Sequence, residues 1–192
     1  CLSSYHFNGA MKRLFDCFAA LLGLAVLALP LLLLALLIRR KLGSPVLFRQ
    51  VRPGLNGQPF EMVKFRTMTD ARGADGALLP DSQRLTPFGR FLRASSLDEL
   101  PELWNVLKGE MSLVGPRPLF EVEADRFDDD FGHRLLVKPG ITGLWQISGR
   151  SDLAWADALR LDLSYVDNCS MTSDLVIIAK TIRSVFERRG AY

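Results

Sequence analysis

The sequence predicts an α+β protein that is predominantly helical, with a small β-hairpin and an N-terminal apolar membrane segment bent at Pro30. Three observations carry this. Cys17 to Ile38 reads CFAALLGLAVLALPLLLLALLI without a charged residue. Two short apolar runs flank the turn-rich RPGLNGQP, Arg52 to Pro59. The C-terminal half repeats apolar residues at the 3.6-residue period of a helix.

The apolar run is long enough to cross a bilayer core as a helix, at 1.5 Å per residue. A signal peptide fits poorly, because Arg39, Arg40 and Lys41 follow where a small-residue cleavage site belongs. Pro30 removes a helix hydrogen bond and kinks the axis. Lys12 and Arg13 precede the run, so cations flank both ends. Cationic flanks prefer the cytoplasmic side. Residue patterns alone leave a spanning helix and a re-entrant one open. The bend frees the carbonyl of Val26, which needs a partner in lipid.

Pro45 to Phe48 and Phe60 to Phe65 read as the paired strands of the hairpin. Thr69 to Arg84 is polar and turn-rich, the composition of a mobile loop. Helices are expected over Phe88–Arg93, from Leu97–Asp98 to Leu107, in part over Phe120–Leu136, over Ala154–Val166 and from Leu175 to Arg188. Leu100, Leu103, Trp104 and Leu107 share one face of the second. Lys138 to Arg150 is Gly-rich and irregular. The last helix carries Leu175, Ile178, Ala179, Ile182, Val185 and Phe186 on a stripe. With Lys180, Arg183, Arg188 and Arg189 beside it, that helix suits a membrane surface.

Composition excludes some classes. A net charge of +3 does not argue for nucleic acid, and no recognition module is visible. Cys1, Cys17 and Cys169, with His6 and His133, form no metal or redox pattern, which suits reduced thiols in a cytoplasm-facing domain.

Candidate chemistry lies in four places. Asp98 and Glu99 sit in RASSLDELPELWNVL at a helix start, where the dipole stabilises anions, phosphate included. Ser96-x-x-Glu99 equally matches a capping box. Pro101 sits better if Asp98 is the cap. Arg117 is held between Gly115, Pro116 and Pro118, a rigid fork suited to phosphate, or a solvated turn. Lys64 alternates with apolar residues in KFRTM, facing a site or guarding an edge. Asp162 falls beside the stripe of Trp155, Leu159, Leu163 and Val166. If buried, it must be paired; otherwise it is a solvated edge. Asp174 reads as an N-cap.

MKRLFD, FRQVRPGLNG, VKFRTM, SSLDELPELWNVLKGEMSLVGPRP, KPGITGLWQISGR and RRGAY occur in that order from Met11 to the end. Together they resemble the monotopic phosphoglycosyl transferases, or bacterial sugar transferases. The resemblance implies transfer of a sugar-1-phosphate from a UDP-sugar to polyprenyl (undecaprenyl) phosphate, initiating exopolysaccharide or lipopolysaccharide glycans. It implies Asp98 as the nucleophile that takes the phosphosugar as UMP leaves, and Glu99 as the Mg²⁺ ligand. Lys64, Arg93 and Arg117 match positions for the phosphates and nucleotide, and Asp162 and Asp174 match acidic positions that support substrate binding.

The resemblance also favours the re-entrant topology, although Leu29 stands where the family often has serine before the proline. It implies residues 1–10 as an extension, 11–41 as a re-entrant membrane helix and 42–192 as a catalytic domain with membrane-associated helices. That domain faces the cytoplasm from the bacterial inner membrane, where downstream glycosyltransferases are possible partners. Longer members carry additional membrane domains, so the chain is either a small member or the catalytic part of a longer one. The competing reading is a non-catalytic membrane-anchored scaffold, with Asp98 and Glu99 only capping a helix.

Overall fold

A computed structural model of the chain describes residues 2–119, 129–149 and 153–187. Two N-terminal helices, α1 (Leu2–Val26) and α2 (Ala28–Leu42), meet at a 64° bend. The break falls at Leu27, not at Pro30. Pro30 lies in the first turn of α2, where its missing N–H would have no helical partner anyway. The first helix reaches back to Leu2, so residues 2–10 are helical. Among the described residues no single helix is long and apolar enough to cross a membrane, although the bent pair together has the length and composition. Its outer surface is apolar and bare: Leu14, Phe18, Leu21, Val26, Leu29 and Leu32 are all more than half exposed.

The hairpin forms as expected. β1 (Leu47–Pro53) pairs antiparallel with β2 (Pro59–Phe65), with Leu47 opposite Phe65 and Pro53 opposite Pro59. Strand β1 extends through Arg49–Arg52, further than the apolar run suggested. The polar stretch after β2 holds bridges Met68–Leu85 and Arg72–Leu78 and a short helix, α3 (Asp81–Arg84). Helix α4 (Pro87–Ala94) starts on Thr86, whose hydroxyl accepts from the Gly89 N–H at 3.1 Å.

The continuous helix expected over Leu97–Leu107 is instead a 3-10 turn, Leu97–Glu99, followed by α5 (Glu102–Lys108). Pro101 interrupts the ladder between them. The buried face of α5 is Glu102, Asn105 and Val106, while Trp104 is 54 % exposed, contrary to the apolar stripe expected. The Gly-rich segment is more ordered than its composition implied. β3 (Ser112–Val114) pairs in parallel with β4 (Gly140–Thr142). Three short or amphipathic helices, α6 (Asp129–Arg134), α7 (Leu144–Ile147) and α8 (Trp155–Asn168), and the final α9 (Met171–Glu187) complete the fold. The expected helix over Phe120–Leu136 is described only from Asp129, and Arg150, Arg188 and Arg189 lie outside the described residues. So do the side chains of His6, Val185 and Phe186. Cys17 and Cys169 are free thiols.

Three apolar clusters bind these parts. Ala20 of α1 packs with Phe60, Met62, Val106 and Met111. Ile38 and Leu42 of α2 pack with Phe65 and Leu92. Val114, Tyr165 and Ile177 form the third. Both arms of the bent pair are thus docked on the hairpin and on the helices that carry the site. In α9 the inward face is Asp174, Ile177 and Thr181. Leu175 and Ile182 of the stripe face out, 51 % and 56 % exposed.

Candidate active site

The site is assembled by one buried amide. Asn105 is fully buried on α5. Its Oδ1 accepts from the Val63 N–H at 3.1 Å, and its Nδ2 donates to the Glu61 carbonyl at 2.7 Å. This ties α5 to β2 in a fixed register, since an unpaired amide there costs about 1–3 kcal/mol. Lys64, next along β2, is thereby aimed at the turn before α5.

Lys64 Nζ lies 2.9 Å from Glu99 Oε1 and 3.0 Å from Glu102 Oε1. The second contact is an ion pair outside hydrogen-bond geometry. Arg117 Nη2 donates to the same Glu99 oxygen at 3.1 Å. Lys64 is therefore no edge guard; its side chain is 16 % exposed. Arg66, the other cation of the strand end, is structural: it donates to the Ser44 and Met68 carbonyls and pairs with Asp70.

Arg117 is placed by close backbone approach. A Cβ on Gly115 would sit 2.4 Å from the Lys138 carbonyl, and one on Gly143 would sit 2.3 Å from the Gly115 carbonyl. Only glycines allow the two segments to lie so near. Arg134 adds a brace, donating through Nη2 to the Arg117 carbonyl at 2.9 Å.

Asp98 stands apart from this network. It is 8 % exposed, and among the described residues no other side chain hydrogen-bonds or ion-pairs with its carboxylate. Burial pushes its carboxyl up to about 6, with Glu99 adding to the rise and Lys64 opposing it. For Glu99 burial acts upward too, but Arg117 and Lys64 overcome it and hold the group well below the carboxylate range. Burial pushes Glu102 up against the pull of Lys64, with Glu99 adding to the rise. Lys64 itself is lowered by burial but raised more by Glu102 and Glu99.

The expected capping box is absent. Ser96 makes no side-chain cap and adopts a left-handed backbone, φ 54°. A non-glycine residue there costs on the order of 1–3 kcal/mol, strain of the kind found at functional turns. Arg93 is near enough to lower the Asp98 carboxyl, yet its Nε donates to Thr67 Oγ1 at 3.1 Å.

Asp162 and Asp174 are held elsewhere. Asp162 is buried and ion-paired with Arg134, whose Nε donates at 3.1 Å, so it is not a solvated edge. Among the described residues its link to the site runs through Arg134, which donates to the Arg117 carbonyl. Asp174 is not the cap of α9; Ser170 is, accepting from the Ser173 N–H at 3.1 Å. Instead Asp174 pairs with Lys12 and accepts from the Tyr165 hydroxyl at 2.7 Å. Lys12 also donates to the Val114 carbonyl, and Arg13 to the last carbonyls of α5. The first cationic flank is therefore tied into the protein, while Arg39, Arg40 and Lys41 remain exposed.

Among the described residues no three His, Cys, Asp or Glu groups are arranged to hold a metal alone. Mg²⁺ does not need that: it is usually bound by one or two carboxylates plus substrate phosphates. Glu99, kept ionised and offering only oxygen, fits that chemistry.

Sequence reasoning singled out Lys64, Asp98, Glu99 and Arg117, which the structure brings together. It missed Glu102, Asn105 and Arg134. Glu102 had a signal, lying three residues after Glu99; Asn105 and Arg134 had none, since their partners are distant in sequence.

Residues 7–188 match a family model described as bacterial sugar transferase. The chain is 50 % identical over 180 residues to an uncharacterized sugar transferase, EpsL, of Bacillus subtilis, covering 94 % of this chain and 89 % of that protein. It is 40 % identical to a UDP-glucose:undecaprenyl-phosphate glucose-1-phosphate transferase of Caulobacter vibrioides, covering 94 % and 72 %. It is 38 % identical to an undecaprenyl-phosphate galactose phosphotransferase of Salmonella typhimurium, covering 95 % of this chain but only 42 % of that longer protein.

Proposed function

The chain belongs to the bacterial sugar transferase family, and on that premise we propose that it moves a sugar-1-phosphate from a UDP-sugar to undecaprenyl phosphate. The observation that carries the mechanism is the unequal treatment of two neighbouring carboxylates. Glu99 is clamped by Lys64 and Arg117, while buried Asp98 makes no hydrogen bond or ion pair with another side chain among the described residues. An unengaged buried carboxylate is a competent nucleophile once ionised.

Asp98 attacks the phosphorus that bears the sugar. The bond from that phosphorus to the UMP oxygen breaks, UMP leaves, and a phosphosugar–aspartate intermediate forms. An oxygen of undecaprenyl phosphate then attacks the same phosphorus. The aspartyl bond breaks, Asp98 is regenerated, and undecaprenyl-diphosphate-sugar departs. Lys64 and Arg117 supply donors for the diphosphate oxygens, and a preorganised cation pair stabilises charge developing there. Mg²⁺ held by Glu99 would offset phosphate charge as the carboxylate approaches. Asp162, through Arg134, keeps the Arg117 loop in place.

The reaction is proposed at the cytoplasmic leaflet of the bacterial inner membrane. The bent pair α1–α2 with its bare apolar surface supports a re-entrant seating there. The exposed Arg39–Lys41 supports a cytoplasmic exit, as cations favour that side. The scaffold reading is weakened, because Asp98 and Glu99 do not cap a helix.

The test is UMP release from a panel of UDP-sugars with undecaprenyl phosphate, with and without Mg²⁺, for wild type and Asp98→Asn. Release by the wild type only is expected. Equal release by the variant overturns the mechanism.

A further inference from the structure

Arg93 enters the site from the last turn of α4, and one buried hydroxyl aims it. Its Nε donates to Thr67 Oγ1 at 3.1 Å, across 26 positions of sequence. The guanidinium is planar, so one bond at Nε fixes the plane and the direction of both Nη groups. Neither Nη hydrogen-bonds or ion-pairs with another group among the described residues. The Arg93 charge lies close enough to Asp98 to act on its carboxylate. Arg93 therefore has donors to spare beside the group that takes the phosphosugar in the proposed mechanism.

Thr67 is built to hold still. It is buried, two residues past the end of β2. Arg66 arches over it, donating through Nε to the Met68 carbonyl at 2.6 Å and through Nη1 to the Ser44 carbonyl at 2.8 Å. Helix α4 lies directly on its backbone: a Cβ on Gly89 would sit 1.8 Å from the Thr67 carbonyl oxygen. No side chain fits there, so Gly89 sets the spacing at which Arg93, one turn further along α4, meets the hydroxyl. Threonine is stiff at χ1, which keeps Oγ1 where that bond needs it. One strand thus places two cations: β2 carries Lys64 to Glu99, and its continuation holds Arg93 near Asp98.

We propose that Thr67 is a positioning residue of the transferase: its hydroxyl holds the Arg93 guanidinium where it meets the sugar-bearing phosphate during attack by Asp98. The proposal rests on the transferase reading and adds a division of labour to it. Lys64 and Arg117 stand on the Glu99 side, while Arg93 serves the phosphate that is transferred. An arginine without its tether keeps its charge but loses its direction. Preorganised donors contribute most where charge develops in the transition state, so the loss falls on turnover. UMP lacks the sugar-bearing phosphate, so its binding does not depend on the hydroxyl.

The experiment uses the full chain in nanodiscs, with undecaprenyl phosphate and the UDP-sugar that the wild type turns over. Thr67→Val, which keeps the shape and deletes the hydroxyl, should lower kcat at least about tenfold, the scale of one hydrogen bond to a charged group. Inhibition by UMP should change less than about twofold, as for an interaction made only in the transition state. Thr67→Ser, which restores the acceptor, should recover most of the rate. Thr67→Val added to Arg93→Met should slow turnover no further, because the hydroxyl acts through Arg93. An unchanged kcat in Thr67→Val overturns the proposal. So does a serine variant as slow as the valine variant, UMP inhibition weakened in step with kcat, or a double variant slower than Arg93→Met by the full Thr67→Val factor. If Thr67→Val fails to fold by circular dichroism, Thr67→Ala takes its place in each comparison. Wild type that releases no UMP from any UDP-sugar counts against the transferase reading, while wild-type turnover with no dependence on the hydroxyl counts against Thr67 alone.

Discussion

The turn from Leu97 to Glu102 and the α8–α9 side of the molecule treat buried acids in opposite ways. At α8–α9 each acid is matched: Asp162 with Arg134, and Asp174 with Lys12 and the Tyr165 hydroxyl. At the turn three carboxylates, Asp98, Glu99 and Glu102, crowd around two cations, and both cations face Glu99. Paired acids hold a fold together. An unmatched one costs stability and leaves a reactive group. On the proposed mechanism, the difference separates residues that build the site from the one that reacts in it.

Substitutions sharpen that contrast. Asp98→Asn should reduce UMP release by at least about a thousandfold, the scale seen when a nucleophile is removed. It should leave the melting temperature unchanged or higher, because a buried charge paired with no other side chain is lost. A lower melting temperature would place Asp98 among the structural acids. Asp162→Ala should act chiefly on stability, costing about 3–5 kcal/mol in chemical denaturation, because it removes the carboxylate that is ion-paired with buried Arg134. Lys12→Met should cost less, about 1–3 kcal/mol, since Tyr165 still donates to Asp174. Its signature should be earlier proteolysis of the junction between α1 and the rest of the chain.

The smallest expected effect is on pH dependence. The Asp98 carboxyl rises from 3.8 to about 6 in the folded protein. The folded state therefore binds more protons than the unfolded one across that window, and stability falls as pH rises through it. Asp98→Asn should flatten that slope, giving parallel curves above pH 6. For catalysis the ionised form is needed, so kcat/KM should fall as pH drops below about 6. A rate independent of pH between 5 and 7 would contradict the assignment.

How far the sequence could be read follows from the range of each interaction. The hairpin and α4 were legible because turn residues and short apolar runs act locally. Lys64, Asp98, Glu99 and Arg117 were legible because they lie in motifs, and the motifs proved to converge. The break at Leu27 was only approximately legible: Pro30 cannot bond to the carbonyl four residues back and its ring crowds it, so the break falls in the turn before the proline. Lys12 read only as a cationic flank of the apolar run because its partner, Asp174, is 162 positions away. Arg134 was invisible for the same reason. Trp104 was grouped on one face with Leu100, Leu103 and Leu107, and its exposure was not legible, because helical period cannot distinguish a face packed on protein from one left open.

The central claim is that Asp98 accepts the phosphosugar. Intact-protein mass spectrometry on wild type given a UDP-sugar and no acceptor tests it directly. The account predicts an added mass of one phosphosugar, mapped to Asp98 and discharged when undecaprenyl phosphate is supplied. An adduct mapped to another residue, or turnover with no adduct at any time point, would contradict it.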